Sequence, residues 1–405
     1  MSHKGRLLNE WRAPVDCRYL LAEVNVMTDE DRFEILLCPE IGDGVSTHVE
    51  KFIDSSPDGL QLIAKPVPHV ESAIELLLDG HGDMVPVSAK WWYGNRIKGL
   101  SSNLVLPRRE PTRVLVGEDK PEYIPKRGII VADCEIVKRQ LIRSRQDLNV
   151  ILPEDFGDAP SDVFERVKWL EELRLDEEID GYTTTRTLHS SLPSRARRHT
   201  LGMQRQDDTR SRFIPVPLEG YTILLTRDDF PISRFSKVMD AGASLSLRLE
   251  MTILDSIDEN MQNKIGLVVE QRKVRTILTD VGNRGRTLGF ENPLTEWKTF
   301  TASSENQGPK DSDPRIDIIL ETVSLDGMVT TSVERIFPLE ESHSGAHNLV
   351  FNWNQLLKIM REVPEEDKRG RMKELMDEYI DDLVSKGRLS EDRIYSPLMK
   401  KEDYE

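Results

Sequence analysis

Residues 243–265 restrict the fold most, because their apolar side chains recur at two different periods. Residues 244–251 alternate apolar and polar side chains, as a half-buried strand does. Over the whole segment apolar residues also recur at every fourth position, the spacing of one helix face: Leu245, Leu249, Ile253, Ile257, Met261 and Ile265. About 23 residues without a turn signal exceed an ordinary strand. The sequence therefore predicts a long helix, about 35 Å from end to end.

The first 155 residues have a different pattern. Short apolar runs bounded by Pro, Gly and Asp indicate strands at 18–26, 33–38, 60–67, 113–116 and 128–137. One helix is expected near residues 69–78. We therefore predict a β-rich N-terminal module over residues 1–155, of unknown role.

An amphipathic helix is predicted within residues 156–180. Val163, Val167 and Leu170 recur at helical spacing, and polar residues occupy the opposite face. Asp162 and Glu165 form a capping-box pattern at the start of this helix, which indicates where it begins.

Residues 181–218 are predicted to form an extended, arginine-rich loop. Over residues 181–212 core-forming residues are scarce, and only two acids, Asp207 and Asp208, accompany seven arginines. These arginines are Arg186, Arg195, Arg197, Arg198, Arg205, Arg210 and Arg212. Three interpretations stay open: a disordered linker, an arm that becomes ordered on a neighbouring subunit, and an arm that binds nucleic acid.

A β-hairpin is predicted at residues 315–337, within a folded part that covers residues 219–405. Its two strand-like runs are joined by Asp326 and Gly327. An Asp-Gly pair is typical of a type I′ turn, in which both central residues take positive φ. Two polar helices are expected after the hairpin.

Composition argues against several classes of function. The formal net charge of −16 and pI near 5.1 disfavour general coating of nucleic acid or of an anionic membrane surface. Cys17, Cys38 and Cys134 are too few and too scattered for a disulfide framework. No apolar run approaches the ~18–20 residues of a membrane span, so we expect a soluble intracellular protein without a membrane partner.

Sequence motifs for chemistry are weak. Gly282 and Gly285 delimit a Gly-x-x-Gly loop like that of a KH module, although a glycine-rich turn is the simpler interpretation. His343 and His347 have the helical spacing of metal ligands, but no third ligand is nearby. We therefore predict no catalytic residue, no cofactor, no metal site and no enzymatic activity.

From Phe213 onward, the order of motifs resembles the major capsid proteins of tailed phages and the related encapsulins. Phe-Ile-Pro-Val-Pro-Leu at 213–218 leads into Leu-Thr-Arg-Asp-Asp-Phe at 225–230, which is similar to a strand approach in that family. Gly-Phe-Glu-Asn-Pro at 289–293 looks like the turn after its spine helix. The resemblance implies an α+β capsid-type fold with an extended loop, a spine helix at 243–265 and mixed α/β peripheral domains, preceded by the β-rich module.

The same resemblance implies a structural protein that assembles into an icosahedral-type shell, as the major capsid protein of a tailed virus. Its partners would be copies of itself, with other shell or decoration proteins. The shell would enclose nucleic acid without sequence-specific binding, in a virion assembled in the host cytoplasm. The seven arginines would then contact acidic residues of a neighbouring subunit: Glu171, Glu172, Glu177 and Glu178.

Three alternatives remain at this point. One is an encapsulin-type compartment. Another is a nucleic-acid-binding module that uses Arg195, Arg197 and Arg198 together with the Gly282–Gly285 loop. The third is an enzyme whose site is assembled from residues distant in sequence.

Overall fold

The computed structural model describes residues 32–55, 60–156, 159–192, 196–205, 211–236, 238–287 and 312–361, with residues 379 and 385–386. The predicted strand at 18–26, the Gly-Phe-Glu-Asn-Pro motif, Arg195 and Arg210 lie outside these residues. Within the described part, no helix is long and apolar enough to cross a membrane.

The N-terminal unit, residues 32–106 with 221–240, begins as a βαβ arrangement. Strand β1 (Arg32–Leu37) runs parallel to β2 (Gln61–Pro66), and helix α1 (Val45–Asp54) joins them. Val45 and Val49 are buried one helical turn apart, so α1 packs on the strands through one apolar face. The unit continues with α2 (Val70–Leu78), β3 (Val85–Ser88), α3 (Ala89–Gly94) and β4 (Leu100–Val105).

The prediction of a β-rich N-terminal module is wrong, because helices alternate with strands throughout this part of the chain. Parallel strands such as β1 and β2 cannot be joined by a tight turn and need a crossover connection, which α1 provides. The strand predicted at 128–137 is divided in the same way. Its first half is a three-residue strand, and from Glu135 the chain is helical.

The middle unit, residues 113–201, is a mixed five-stranded sheet with apolar clusters on both faces. The strand order is β7-β6-β8-β5-β9. The strands are β5 (Arg113–Gly117), β6 (Ile129–Val131), β7 (Asn149–Ile151), β8 (Gly181–Thr185) and β9 (Arg198–Leu201). The helices are α4 (Glu135–Ser144), α5 (Val163–Leu175) and α6 (Arg186–Ser191).

The prediction of an extended loop at 181–218 is wrong, because the segment contains β8, α6 and β9. Strand β8 lies inside the sheet, between β5 and β6, and its Tyr182, Thr183 and Thr184 are buried. β-branched threonines pack well on a pleated surface, so a run without aliphatic residues can still form an interior strand. The Thr183 hydroxyl also donates to Asp133 Oδ1 at 2.6 Å, which satisfies it inside the protein.

Two crossing segments, residues 106–112 and 213–221, connect the N-terminal and middle units. Strand β10 (Thr222–Arg227) follows the second segment and lies between β3 and β4, antiparallel to both. The two segments are hydrogen-bonded to each other, since the Arg109 amide donates to the Gly220 carbonyl at 3.0 Å. Gly220 has φ of 84°, and a side chain there would meet the Arg109 carbonyl oxygen at 2.5 Å.

The C-terminal unit, residues 241–361, shares one apolar core with the N-terminal unit, in which Leu247 and Trp353 are buried together with Tyr221. Its antiparallel sheet has the order β11-β12-β13. The elements are α7 (Ala241–Asp255), α8 (Glu259–Gln262), β11 (Ile265–Lys273), α9 (Val274–Thr287), β12 (Pro314–Val323), β13 (Thr330–Pro338) and α10 (Ser342–Arg361).

The prediction of a spine helix at 243–265 is wrong, and with it the capsid-type fold. Helix α7 ends at Asp255, ten residues before the predicted end, and Ile265 already belongs to β11. The break arises because the Asp258 carboxylate accepts the Asn260 amide at 3.0 Å and starts a separate short helix. The prediction of a Gly-x-x-Gly loop or glycine-rich turn at Gly282–Gly285 is also wrong, because these residues lie within α9.

The hairpin formed by β12 and β13 braces the C-terminal unit against the middle unit. Its strands pair antiparallel, but residues 324–329 form the connection, and Gly327 alone has the positive φ that a type I′ turn requires at two positions. Gly327 packs closely on the backbone of α4, where a Cβ would lie 2.7 Å from the Arg143 nitrogen. Arg143 reaches back to Glu321 of β12 at 2.7 Å.

Candidate binding cleft

A cleft of about 1050 Å³ opens where the three units meet. The crossing wall consists of Pro107 and residues 109–112 with Arg186 and Thr200. The helix–strand wall consists of Asp240, Gly242, Ala243, Ser246 and residues 269–273 with Arg205. Arg108, with the buried Glu250 that it contacts, forms what we call the floor of the cleft. Tyr221 also lines the cleft. Its charged lining side chains are six basic and three acidic residues: Arg108, Arg109, Arg186, Arg205, Arg272, Lys273, Glu110, Asp240 and Glu270.

Arg108 is fixed by a buried carboxylate below the cleft. Its Nη1 lies 2.9 Å from Glu250 Oε1, its Nε donates to the Glu219 carbonyl at 3.0 Å, and its guanidinium stacks 4.1 Å from the Tyr221 ring centre. Burial lowers and the Glu250 carboxylate raises the pKa of Arg108, with a net upward shift. This arginine therefore stays charged, and Glu250 compensates its charge.

Arg205 and Arg272 are compensated by a second group of acids on β11 and β12. Both donate to Oδ2 of Asp317, at 2.7 and 3.0 Å, and Asp317 is fully buried. Arg205 also pairs with Glu270 at 3.0 Å, and Arg272 pairs with Asp280. These two charges on the helix–strand wall are therefore held by the protein's own carboxylates.

Arg109 and Arg186 differ from the other arginines of the cleft, because no described carboxylate lies within ion-pairing distance of either. Arg109 Nη1 donates to the Asp43 carbonyl at 2.8 Å, and Arg186 Nη2 contacts the Thr112 and Thr200 hydroxyls at 3.3 and 3.2 Å. The Nε atoms of both are buried without an acceptor among the described residues. Burial lowers the pKa of Arg109, as expected for a cation poorly compensated inside a protein.

The start of α1 lies beside Arg109 and contributes two titratable groups. Burial raises the pKa of Asp43 to about 6, because the Val45 amide and Arg109 only partly offset it. Burial, with nearby Arg109 and Lys51, lowers the pKa of His48 to about 4. His48 is thus neutral near pH 7, and its Nδ1 lies 3.0 Å from the Thr222 hydroxyl.

The arginines that were predicted to contact a neighbouring subunit lie in different parts of the structure. Arg186 and Arg205 line the cleft, and Arg197 and Arg198 are exposed near the edge strand β9. Arg212 pairs within the same chain, with Glu321 at 3.1 Å and with Glu334 at 3.4 Å.

The predicted acidic contacts lie around α5, away from the cleft lining. Glu171 is buried, where it binds Arg174 at 2.8 Å and accepts the Tyr182 hydroxyl at 3.0 Å. Glu172, Glu177 and Glu178 are exposed. Among the described residues, no group of three or more His, Cys, Asp and Glu side chains could hold a metal ion.

Sequence reasoning missed the residues that shape the cleft floor and the crossing wall. Arg108 and Arg109 stand in Pro-Arg-Arg-Glu-Pro at 107–111, a charged run between prolines. Glu250 lies three residues after Leu247 and three before Ile253, which are both buried, so it is a carboxylate on the apolar face of a helix. A charge at such a position needs a buried partner. This carboxylate on an apolar helix face was the signal in the sequence that could have identified Glu250.

No family model matches the chain, and no curated protein matches it. Solved structures align with low similarity. The periplasmic aliphatic sulphonate binding protein SsuA from Escherichia coli is 13% identical, with 83% of this chain and 89% of that chain covered and a TM-score of 0.29. The VFT2 domain of Bordetella pertussis BvgS is 13% identical, with 56% and 94% covered and a TM-score of 0.30. YhfZ from Shigella flexneri is 15% identical, with 56% and 92% covered and a TM-score of 0.28.

The capsid resemblance is therefore corrected. The predicted spine helix and extended loop on which it rested are not formed, because helix α7 ends at Asp255 and residues 181–201 contain β8, α6 and β9. The predictions of a self-assembling shell with copies of itself and decoration proteins, of enclosed nucleic acid and of a virion location are wrong. The prediction that the chain is not an enzyme stays a prediction.

Proposed function

We propose that the chain binds an anionic small molecule in the cleft between its three units. The observation that carries this proposal is the pair Arg109 and Arg186, which line the cleft without a carboxylate within ion-pairing distance among the described residues. A part-buried guanidinium without a counter-charge is costly, and an anion in the cleft would supply that charge.

The chemistry of the crossing wall suits a carboxylate, phosphate or sulfonate group. A guanidinium presents planar N–H donors that match the oxygens of such groups. The hydroxyls of Thr112 and Thr200 already orient Arg186 at 3.3 and 3.2 Å. The cleft volume of about 1050 Å³ is sufficient for a small organic molecule rather than a lone inorganic ion.

Isothermal titration calorimetry with sulfate, phosphate and succinate, at constant ionic strength, tests this proposal. Arg186→Met and Arg109→Met should each weaken binding about tenfold or more, because each removes a charge-assisted hydrogen bond. Arg248→Met is the matched control, since Arg248 is exposed on α7 and does not line the cleft.

Two outcomes would contradict the proposed function. One is that the wild-type protein binds none of the three probes. The other is that Arg248→Met weakens binding as much as the two cleft variants, which would indicate a general effect of net charge.

A further inference from the structure

Glu250 is a carboxylate next to the cleft with no exposed surface. Its two oxygens accept from four donors: the Leu218 amide at 2.8 Å, the Val269 amide at 3.1 Å, the Tyr221 hydroxyl at 3.2 Å and Arg108 Nη1 at 2.9 Å. Full hydrogen bonding of this kind stabilises a carboxylate that water cannot reach.

The donors to Glu250 come from the elements that meet at the cleft. Arg108, Tyr221 and Val269 line the cleft, whereas Leu218 belongs to the second crossing segment. Leu218 has φ of 63°, a backbone conformation that its hydrogen bond to Glu250 helps to hold. The Glu250 carboxylate is therefore held against three residues that line the cleft.

We propose that Glu250 sets how much negative charge the cleft accepts, because it neutralises Arg108 from inside the protein. This inference rests on the proposed function. Without Glu250, Arg108 would join Arg109 and Arg186 as a third uncompensated cation of the lining. Buried charges are screened weakly by salt, so this change would act on any anion in the cleft.

Glu250→Gln removes the charge and keeps the shape of the side chain, which makes it the decisive variant. We expect it to bind sulfate about fivefold more tightly than the wild-type protein, and to raise the preference for sulfate over acetate. Adding Arg108→Met to this variant should return both quantities to within about twofold of wild type, since Glu250 acts through Arg108. A purely structural role of Glu250 predicts weaker binding instead.

Glu171→Gln is the matched control, because Glu171 is a buried carboxylate paired with Arg174 in the middle unit. It should leave the affinity for sulfate within about twofold of wild type. If Glu250→Gln is unfolded without anion, added sulfate should refold it at constant ionic strength, as judged by circular dichroism, because binding stabilises the folded state.

The outcomes separate the two proposals. A wild-type protein that binds none of sulfate, phosphate and succinate would contradict the proposed function. A Glu250→Gln protein that binds sulfate no more tightly than wild type, or that sulfate fails to refold, would overturn the role assigned to Glu250. So would an Arg108→Met and Glu250→Gln double variant that keeps the full gain.

Discussion

Arg108 and Arg109 are neighbours in the chain, yet they belong to two electrically different regions of the cleft. On the floor, Arg108 has a carboxylate partner, because its Nη1 lies 2.9 Å from Glu250. On the crossing wall, no carboxylate among the described residues lies within ion-pairing distance; the Arg109 guanidinium donates to the Asp43 carbonyl, and Arg186 donates to two threonine hydroxyls. A compensated arginine contributes to the fold, whereas an uncompensated one is available to a ligand. Stability and binding should therefore depend on different arginines.

The largest effect is expected at the floor. Arg108→Met leaves Glu250 buried without its cation, which should lower the free energy of unfolding by about 3–5 kcal/mol. Urea denaturation followed by circular dichroism measures this loss. Arg248→Met, on the exposed face of α7, should change the free energy of unfolding by less than about 0.5 kcal/mol. If both variants lost the same free energy of unfolding, the pair of Arg108 and Glu250 would not stabilise the protein.

A smaller loss is expected on the helix–strand wall. Arg205→Met removes one of the two arginines that bind Asp317, while Arg272 remains at 3.0 Å. Because one partner of the buried carboxylate survives, the free energy of unfolding should fall by about 2–3 kcal/mol. A loss as large as that of Arg108→Met would mean that Asp317 depends on Arg205 alone. Chemical denaturation under the same conditions decides this.

Asp43→Asn should stabilise the protein at pH 7, in contrast to both changes above. The pKa of Asp43 is about 6 in the folded protein against an ordinary value of 3.8, so the folded state binds more protons between these values. Stability from this group is therefore present below pH 3.8 and lost as the pH rises through 6. The variant should gain about 2 kcal/mol at pH 7, and none below about pH 4.

Denaturation of the wild-type protein and Asp43→Asn across this pH range checks the sign. The same variant should bind sulfate more tightly at pH 7, because it removes a carboxylate near Arg109. A stability difference that grows as the pH falls would contradict the assignment.

The smallest change in stability is expected at Arg186. Arg186→Met removes a charge that no described carboxylate compensates, so the free energy of unfolding should change by less than about 1 kcal/mol. Its affinity for sulfate should nevertheless fall about tenfold. Thermal denaturation with and without sulfate separates the two quantities. A variant that loses stability and affinity together would remove the contrast between the floor and the crossing wall.

Local signals in the sequence predicted elements where one interaction determined the boundary. Helix α5 begins at Val163 because Asp162 accepts the Phe164 and Glu165 amides, and these residues show the capping pattern in the sequence. The prediction of one helix over residues 243–265 was wrong because the apolar spacing continues past the end of α7 at Asp255. Ile257 and Ile265 are buried in the observed structure, and the predicted long helix would have buried them too. Periodicity therefore could not distinguish one long helix from a helix, a turn and a strand.

The cleft was less predictable, because its residues come from distant parts of the chain. The sequence singled out Arg186 and Arg205 as members of an arginine-rich segment. Whether each is available to a ligand depends on whether it has a carboxylate partner. Asp317 binds Arg205 across 112 residues, and Glu250 contacts Arg108 from another unit. No local pattern shows which arginine has a carboxylate partner and which has none.

The contact between Gly327 and α4 has a consequence for the rate of ligand entry. If the crossing segments alone held the middle unit, it could rotate about them relative to the rest of the chain. The tip of the β12–β13 hairpin attaches the middle unit to the C-terminal unit at a second point, beside the ion pair of Arg143 and Glu321. We expect such a brace to oppose a change in the width of the cleft. Association should therefore be a single step, with an observed rate that rises linearly with ligand concentration and falls as salt is added.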